Sequence, residues 1–402
     1  AALTIFSEVT KFTVPTSSLA PHLPQLRSLN ASCLTPPKSV ILFIEVRELM
    51  RNSKLSVFKR APYVLYALRQ RCPHIMIEEI VPNLYRTEIP LPKSPLKWLN
   101  SYIVRGGDRF LIIDTGFNRA ECQNEMNASL KKLGVNLNKT DIFVTHLHVD
   151  HMGLAGTLAT DNSKVYFNEK EARQINALRD DWAGHWRKML DVYVANGFSA
   201  EGAQLSLKDH PAHKYGLKRE VAFSIVKDGD VIEVGDFHFR CVATPGHSPG
   251  HMCLYEPNKK ILVAGDHVLF DITPNIAYWL EMDDSLNGYL MSLEKVNALD
   301  VNIVLPGHRR LVHNLHKRIK ELQEHHRDRL NEVLTALGDG AKTALQIAPR
   351  ITWNIASKSW EEFPPTQKWF AFGETLAHVR YLENKGKVIR QRNNGRILYS
   401  LT

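Results

Sequence analysis

The chain lacks a disulfide framework. Its five cysteines, Cys33, Cys72, Cys122, Cys241 and Cys253, are odd in number and show no close paired spacing. That pattern argues for a reducing compartment, and Cys241 and Cys253, set in apolar strand contexts, read as core thiols rather than metal ligands. Long apolar runs are missing as well: Ser39 to Val46 is too short to span a bilayer and contains Glu45. The first residues show no basic start followed by an apolar core, which argues against a secretory signal. A cytoplasmic location with no membrane partner is the resulting expectation.

Acid is scarce at one end. Residues 1–75 hold ten Lys/Arg against three acids, and none falls between Thr10 and Val40, a stretch rich in Ser, Thr and Pro. Transit segments share that composition. The stronger reading is a basic N-terminal extension foreign to the fold, because a strand-like pattern starts cleanly at Met76-Ile77-Glu78-Glu79-Ile80. The other end is basic too: residues 308–402 carry 17 Lys/Arg against 9 Asp/Glu, whereas residues 75–307 are net −6. The overall charge of +9 therefore says little about the middle of the chain.

With 402 residues, 44% of them hydrophobic and 23% charged, the chain can bury a large core and hold two domains. What it has in place of cysteine chemistry is histidine. Ile142 to Val144 read as a short buried strand, followed at once by His146, His148, Asp150 and His151 in the pattern H-x-H-x-D-H. An extended strand end would put His146 and His148 on one side, and a turn would aim Asp150 and His151 at a second point. Imidazole with carboxylate suits zinc and its neighbours rather than calcium or magnesium. Three islands repeat the arrangement: Thr244-Pro245-Gly246-His247, Gly265-Asp266 and Pro306-Gly307-His308 each place a ligand-type side chain just past an apolar run.

In this order, H-x-H-x-D-H, TPGH, GD and PGH resemble the metallo-beta-lactamase superfamily of dinuclear hydrolases. The stretch Thr244 to Tyr255 (TPGHSPGHMCLY) resembles its glyoxalase II-like version, and the tail resembles that of the beta-lactamase-like 2 branch. The sequence departs from the family pattern at Gly153-Leu154, where a double glycine is usual. The resemblance covers about residues 76–402 and implies an αβ/βα sandwich. It also implies a ligand set: His146, His148 and His247 for one metal, Asp150, His151 and His308 for the other, with Asp266 bridging. Asp114, in Asp114-Thr115-Gly116, is implied to support a ligand histidine from behind. The implied cofactors are two divalent metal ions, zinc first, with iron or manganese as alternatives.

Around these motifs the pattern gives a catalytic domain over residues 76–314. A helical insertion over 168–221 carries Trp182, His185, Trp186, Tyr193, His210, His213 and Tyr215, and is expected to cover the site. Its three histidines, and His251, are not expected to be ligands. Leu315 to Leu337 reads as a long helix, Thr343 as a cap, Pro365 to Lys385 as a further helix, and Asn394-Gly395 as a type I′ hairpin turn. Helices followed by a hairpin resemble a small winged-helix-like domain over 315–402.

The expected reaction is hydrolysis of a carboxylic ester, thioester or lactone by a hydroxide shared between the metals, with Asp150 orienting it and moving its proton. A small-molecule substrate follows from that, with weak beta-lactamase side activity and a homodimer as further expectations. The alternative is an endoribonuclease or phosphodiesterase holding nucleic acid through the basic C-terminal domain, with Arg390, Arg392 and Arg396 on one face of the hairpin. A beta-lactamase proper ranks below both. A non-enzymatic regulator would have no need of seven ligands.

Overall fold

Side-chain alternation along short strands sorts the core into layers. The computed structural model describes residues 76–402 apart from 209, 218, 312, 313, 356 and 358. The expectations for residues 1–75, with Cys33 and Cys72, lie outside the described residues. In β4 (Phe110–Ile113) Leu111 and Ile113 face one way and Ile112 the other, and in β5 (Thr140–Phe143) Phe143 and Ile142 divide likewise.

The first sheet runs β1-β2-β3-β4-β5-β6-β7, adding β1 (Ile77–Val81), β2 (Leu84–Pro90), β3 (Trp98–Arg105), β6 (Val165–Asn168) and β7 (Phe223–Val226). Pairs up to β3/β4 are antiparallel and the rest parallel. The second sheet runs β12-β11-β10-β9-β8. Its strands are β8 (Val231–Val234), β9 (Phe237–Ala243), β10 (Met252–Glu256), β11 (Ile261–Gly265) and β12 (Ile303–Pro306), with only β11/β12 parallel.

Leu111, Ile113 and Phe143 meet Phe237, Phe239, Leu254 and Val263 between the sheets. On the outer faces, Ile112 and Ile142 pack under Cys122, Met126 and Leu130 of helix Ala120–Lys132. Leu262, Ala264 and Val304 pack under helices Ser285–Asn297 and Leu315–Leu337. The result is the αβ/βα sandwich that the sequence led us to expect. Truncating a fully buried residue such as Leu254 to Ala costs about 2–5 kcal/mol. Cys122, Cys241 and Cys253 are buried free thiols in these layers, pushed up by burial to about 11, 12 and 12.

The C-terminal elements come in the expected order. Thr343 and Gln346 form a capping box at helix Ala344–Ile347. Helix Pro365–Asn384 leads through Gly386 (φ 67°) into β13 (Val388–Asn393) and β14 (Arg396–Leu401). Asn394 and Gly395, at φ 48° and 79°, make the left-handed pair that a type I′ turn requires. These elements share a core with the insertion, however. Tyr193 stacks on Trp369 with ring centroids 3.9 Å apart, and Trp186 and Phe198 pack into the cluster of Phe372, Val379 and Tyr399. Residues 76–402 accordingly belong to one compact unit. The insertion aromatics thus serve largely as packing for the C-terminal helix.

Register corrects one expectation about the hairpin. Arg390 pairs with Tyr399 and Arg392 with Ile397, whereas Arg396 pairs with Asn393. Directly paired residues share a face, so Arg396 points away from Arg390 and Arg392. Arg390 is further engaged with Glu383 at 3.2 Å. Among the described residues, no helix is long and apolar enough to cross a membrane.

Candidate metal centre

All the candidate ligands sit at the carboxyl ends of strands, on loops joined edge to edge. β5 ends at Phe143, so His146 and His148 lie beyond the strand, in a bend, and converge for a different reason from strand alternation. The backbone N–H of Thr145 donates to Asp114 Oδ1 (2.8 Å) and that of Leu147 to Glu171 Oε2 (2.9 Å), which folds the segment around two buried carboxylates. Asp150 and His151 follow on the single turn Val149–Met152, for which His148 is the N-cap residue. His247 lies past β9, Asp266 past β11 and His308 past β12. Gly307 is required here, because a Cβ would lie 2.5 Å from Asp266 Oδ1 and 2.8 Å from the His151 ring.

The seven side chains converge as two groups. His148 Nδ1 lies 2.9 Å from His146 Nε2 and 3.0 Å from His247 Nε2. His308 Nε2 lies 3.3 Å from both His151 Nε2 and Asp150 Oδ2. Asp266 stands between: Oδ2 is 3.6 Å from His247 and 3.5 Å from His308, while Oδ1 is 3.5 Å from His151.

Four of the five rings are held from behind, while His148 turns its Nδ1 inward. His146 Nδ1 donates to Thr145 Oγ1 (3.0 Å), His151 Nδ1 to Asp114 Oδ2 (2.7 Å), His247 Nδ1 to the Asn275 carbonyl (2.8 Å) and His308 Nδ1 to the Trp98 carbonyl (2.8 Å). That network assigns Nδ1–H tautomers and leaves the Nε2 lone pairs facing inward. Asp114 adopts φ 59°, uncommon for a residue with a Cβ, and this turn aims its carboxylate at Thr145 and His151 together.

The donor set fits divalent cations. Burial, reinforced by neighbouring rings, lowers His146 well below the ordinary imidazole range and His148 to about 3. The His148 lone pair lies within one hydrogen-bond length of those of His146 and His247, and such neutral lone pairs repel unless something positive lies among them. The other half asks for the same charge. Burial pulls His308 down, but Asp266 and Asp150 outweigh it and raise the ring to about 9; His151 is likewise raised, by Asp114, Asp266 and Asp150. Burial raises the Asp150 carboxyl, yet His151 and His308 bring it to about 2. Asp266 Oδ1 is buried without a hydrogen-bond partner. Carboxylates in such number demand protons or metal cations opposite them.

The sequence profile of the metallo-beta-lactamase superfamily matches residues 99–308, just over half the chain, from β3 through His308. The chain belongs to the metallo-beta-lactamase superfamily. It is 25% identical over 292 residues to the probable metallo-hydrolase YqjP of Bacillus subtilis (strain 168), covering 70% of this chain and 86% of that protein. It is 29% identical over 224 residues to human acyl-coenzyme A thioesterase MBLAC2, covering 52% and 72%. A crystal structure of a metallo-beta-lactamase family protein from Thermus thermophilus superposes with a TM-score of 0.64 at 27% identity, covering 80% of this chain and all of that one.

As a metallo-beta-lactamase superfamily protein, this chain carries supporting residues around the ligands, of which Glu171 is one that the sequence did not single out. Glu171 is fully buried at the start of helix Glu169–Asp180 and accepts from Leu147 N, Ser248 Oγ and Gly250 N, tying the first ligand loop to the second. His251 accepts from the Asp266 backbone N–H (3.2 Å), beneath the ligand cluster. Trp279 stacks on His148 (5.9 Å) and donates to the His247 carbonyl (3.2 Å), forming a wall. His185 lies 3.6 Å from Glu281 and His210 caps helix Pro211–Tyr215, so neither joins the ligands. The side chain of His213 lies outside the described part.

Proposed function

We propose that this protein is a dinuclear metal-dependent hydrolase of acyl thioesters. One cation would be held by His146, His148 and His247 and a second by Asp150, His151 and His308, with Asp266 placed to serve either. The observation that carries the reading is Asp266, whose Oδ2 lies within 3.6 Å of both His247 and His308, one from each half, while Oδ1 lies 3.5 Å from His151. Zinc fits this nitrogen-rich set best, with iron or manganese as alternatives. When bound, such a pair lowers the pKa of a coordinated water towards neutrality and polarises the oxygen under attack.

The chain's own residues supply the rest. Asp150, ionised and next to His308, accepts the proton of the attacking water and delivers it to the leaving sulfur. The C–S bond breaks, and water divides between a carboxylic acid and a thiol. Partly exposed His148 and the Trp279 indole stacked on it mark the side from which the acyl group approaches. Likeness to an acyl-coenzyme A thioesterase and the glyoxalase II-like TPGHSPGHMCLY stretch support a thioester over a lactone or plain ester. Arg396 faces away from Arg390 and Arg392, which leaves a smaller phosphate-contact face for the ribonuclease alternative.

Protein of defined metal content would be assayed against acyl-coenzyme A thioesters, lactones, beta-lactams, bis-p-nitrophenyl phosphate and RNA. Thioesters should give the highest kcat/KM. Faster turnover of the phosphodiester or RNA would overturn the proposal.

A further inference from the structure

We propose that Glu374, on helix Pro365–Asn384, is a positioning residue for the half of the centre formed by His146, His148 and His247, and that it acts through Asn275. The inference rests on the two-metal reading above. His247 is oriented by the Asn275 carbonyl, and both His247 and His148 lean on Trp279. Asn275 and Trp279 lie between Asp266 and helix Ser285–Asn297, in a segment with no strand or helix of its own. What fixes that segment comes from elsewhere in the chain.

The C-terminal helix provides the fixing. Asn275 Nδ2 donates to Glu374 Oε2 (2.7 Å), and Tyr278 N donates to the Gly373 carbonyl (2.9 Å). Gly373 lets the segment come close, because a Cβ there would lie 2.7 Å from Tyr193 Oη and 3.3 Å from Ala277 Cβ. Glu374 is itself immobilised. It is 5% exposed, and its second oxygen is ion-paired with Arg329, which also donates to the Thr352 carbonyl (2.8 Å) and lies 4.3 Å over the Trp353 ring. A buried carboxylate cannot leave its guanidinium without being stranded in an apolar surrounding, so Oε2 is a fixed acceptor. The chain of contacts runs Trp353, Arg329, Glu374, Asn275, His247.

The other half of the centre has no such dependence. His151 is oriented by Asp114 and His308 by the Trp98 carbonyl, both belonging to the first sheet and its loops. A defect at Glu374 should therefore weaken one metal and spare the other.

The test is calorimetric titration of metal-depleted full-length protein with zinc, with His247→Ala marking which binding phase belongs to this half. Asn275→Ala leaves the Arg329 pair intact and is the variant least prone to misfold; Glu374→Gln and the double variant complete the cycle. Circular dichroism melting checks each fold. In both single variants the marked phase should weaken about tenfold, the lower end for residues behind a ligand, while the other moves by less than about twofold. The double variant should be no weaker than the worse single, since both act along one chain. Two metals per parent chain with unchanged phases in folded Asn275→Ala, equal weakening of both phases, or additive losses would each overturn this inference alone. One metal per parent chain would overturn it together with the two-metal reading.

Discussion

Two buried histidine clusters in this protein are built to opposite ends. In the centre proper, His146, His148, His151, His247 and His308 turn unshared nitrogens towards one another, and Asp150 and Asp266 face them without any Lys or Arg among their ion pairs. In the second cluster, His326 Nδ1 donates to His378 Nε2 (3.1 Å), His378 Nδ1 donates to the Glu374 carbonyl (2.8 Å), and the Glu374 carboxylate is already matched by Arg329. His325, His326 and Glu374 are close enough to hold an ion, yet the Arg329 guanidinium already balances the carboxylate. Proximity of histidines is thus a poor criterion. Charge left unmatched is the better one. The imidazoles follow their carboxylates. These raise His151 and His308, whereas burial lowers His325 to about 4, His378 to about 3 and His326 well below the ordinary range, as it lowers His146 and His148 in the half of the centre away from Asp150.

The contrast is broken most severely at Asp266. Asp266→Ala should reduce metal content from about two per chain to one or fewer and lower kcat on the order of a thousandfold, read by elemental analysis and steady-state rates. Retention of two metals and full turnover would remove the bridging role. Asp114→Asn should weaken only the metal of the Asp150, His151 and His308 half, by about 10–100-fold in a zinc titration.

Arg329→Met sharpens the comparison by making the second cluster resemble the first. Leaving Glu374 buried and unpaired should cost about 3–5 kcal/mol in urea unfolding. Added zinc should then raise the Tm of a His247→Ala/Arg329→Met chain beyond the rise seen in His247→Ala alone, because a cation can now replace the lost charge. Equal rises would show that the guanidinium is not what closes this site.

A smaller effect separates the His151 and His308 half of the centre from the second cluster by pH. His151 and His308 have folded-state values raised above the unfolded ~6.5, so in metal-depleted protein their contribution is complete below ~6.5 and is lost as pH rises through about 9. The second cluster runs the other way. His325, His326 and His378 are lowered, so the unfolded chain binds more protons below ~6.5 and stability falls as pH drops from there towards 3. Glu374, raised by burial, opposes part of that loss at the acid end. Denaturant midpoints across pH 4–10 should be bell-shaped without metal, and zinc should flatten the alkaline limb. The smallest effect belongs to the hairpin: Arg390→Gln, Arg392→Gln and Arg396→Gln together should leave thioester turnover within about twofold and stability within about 0.5 kcal/mol per site. A marked loss of turnover would bring the C-terminal hairpin into the substrate site.

The layers, the strands that carry the site and the seven side chains that converge there were all legible in the sequence. Strand period, turn chemistry and ligand type are local properties, and they can be read in Ile142 to His151 or in Pro306-Gly307-His308. The aromatic insertion was legible as helix, but whether Trp186 and Tyr193 cover the site or pack elsewhere depended on a partner, Trp369, far along the chain. Apart from Asp114, what holds the ligands emerged only on folding. Glu171 reaches Gly250, Asn275 reaches Glu374, and Trp98 supports His308 with a carbonyl that every residue possesses. Such roles are set by where a backbone group or a common carboxylate lands in the folded chain, and no residue type or spacing announces them beforehand.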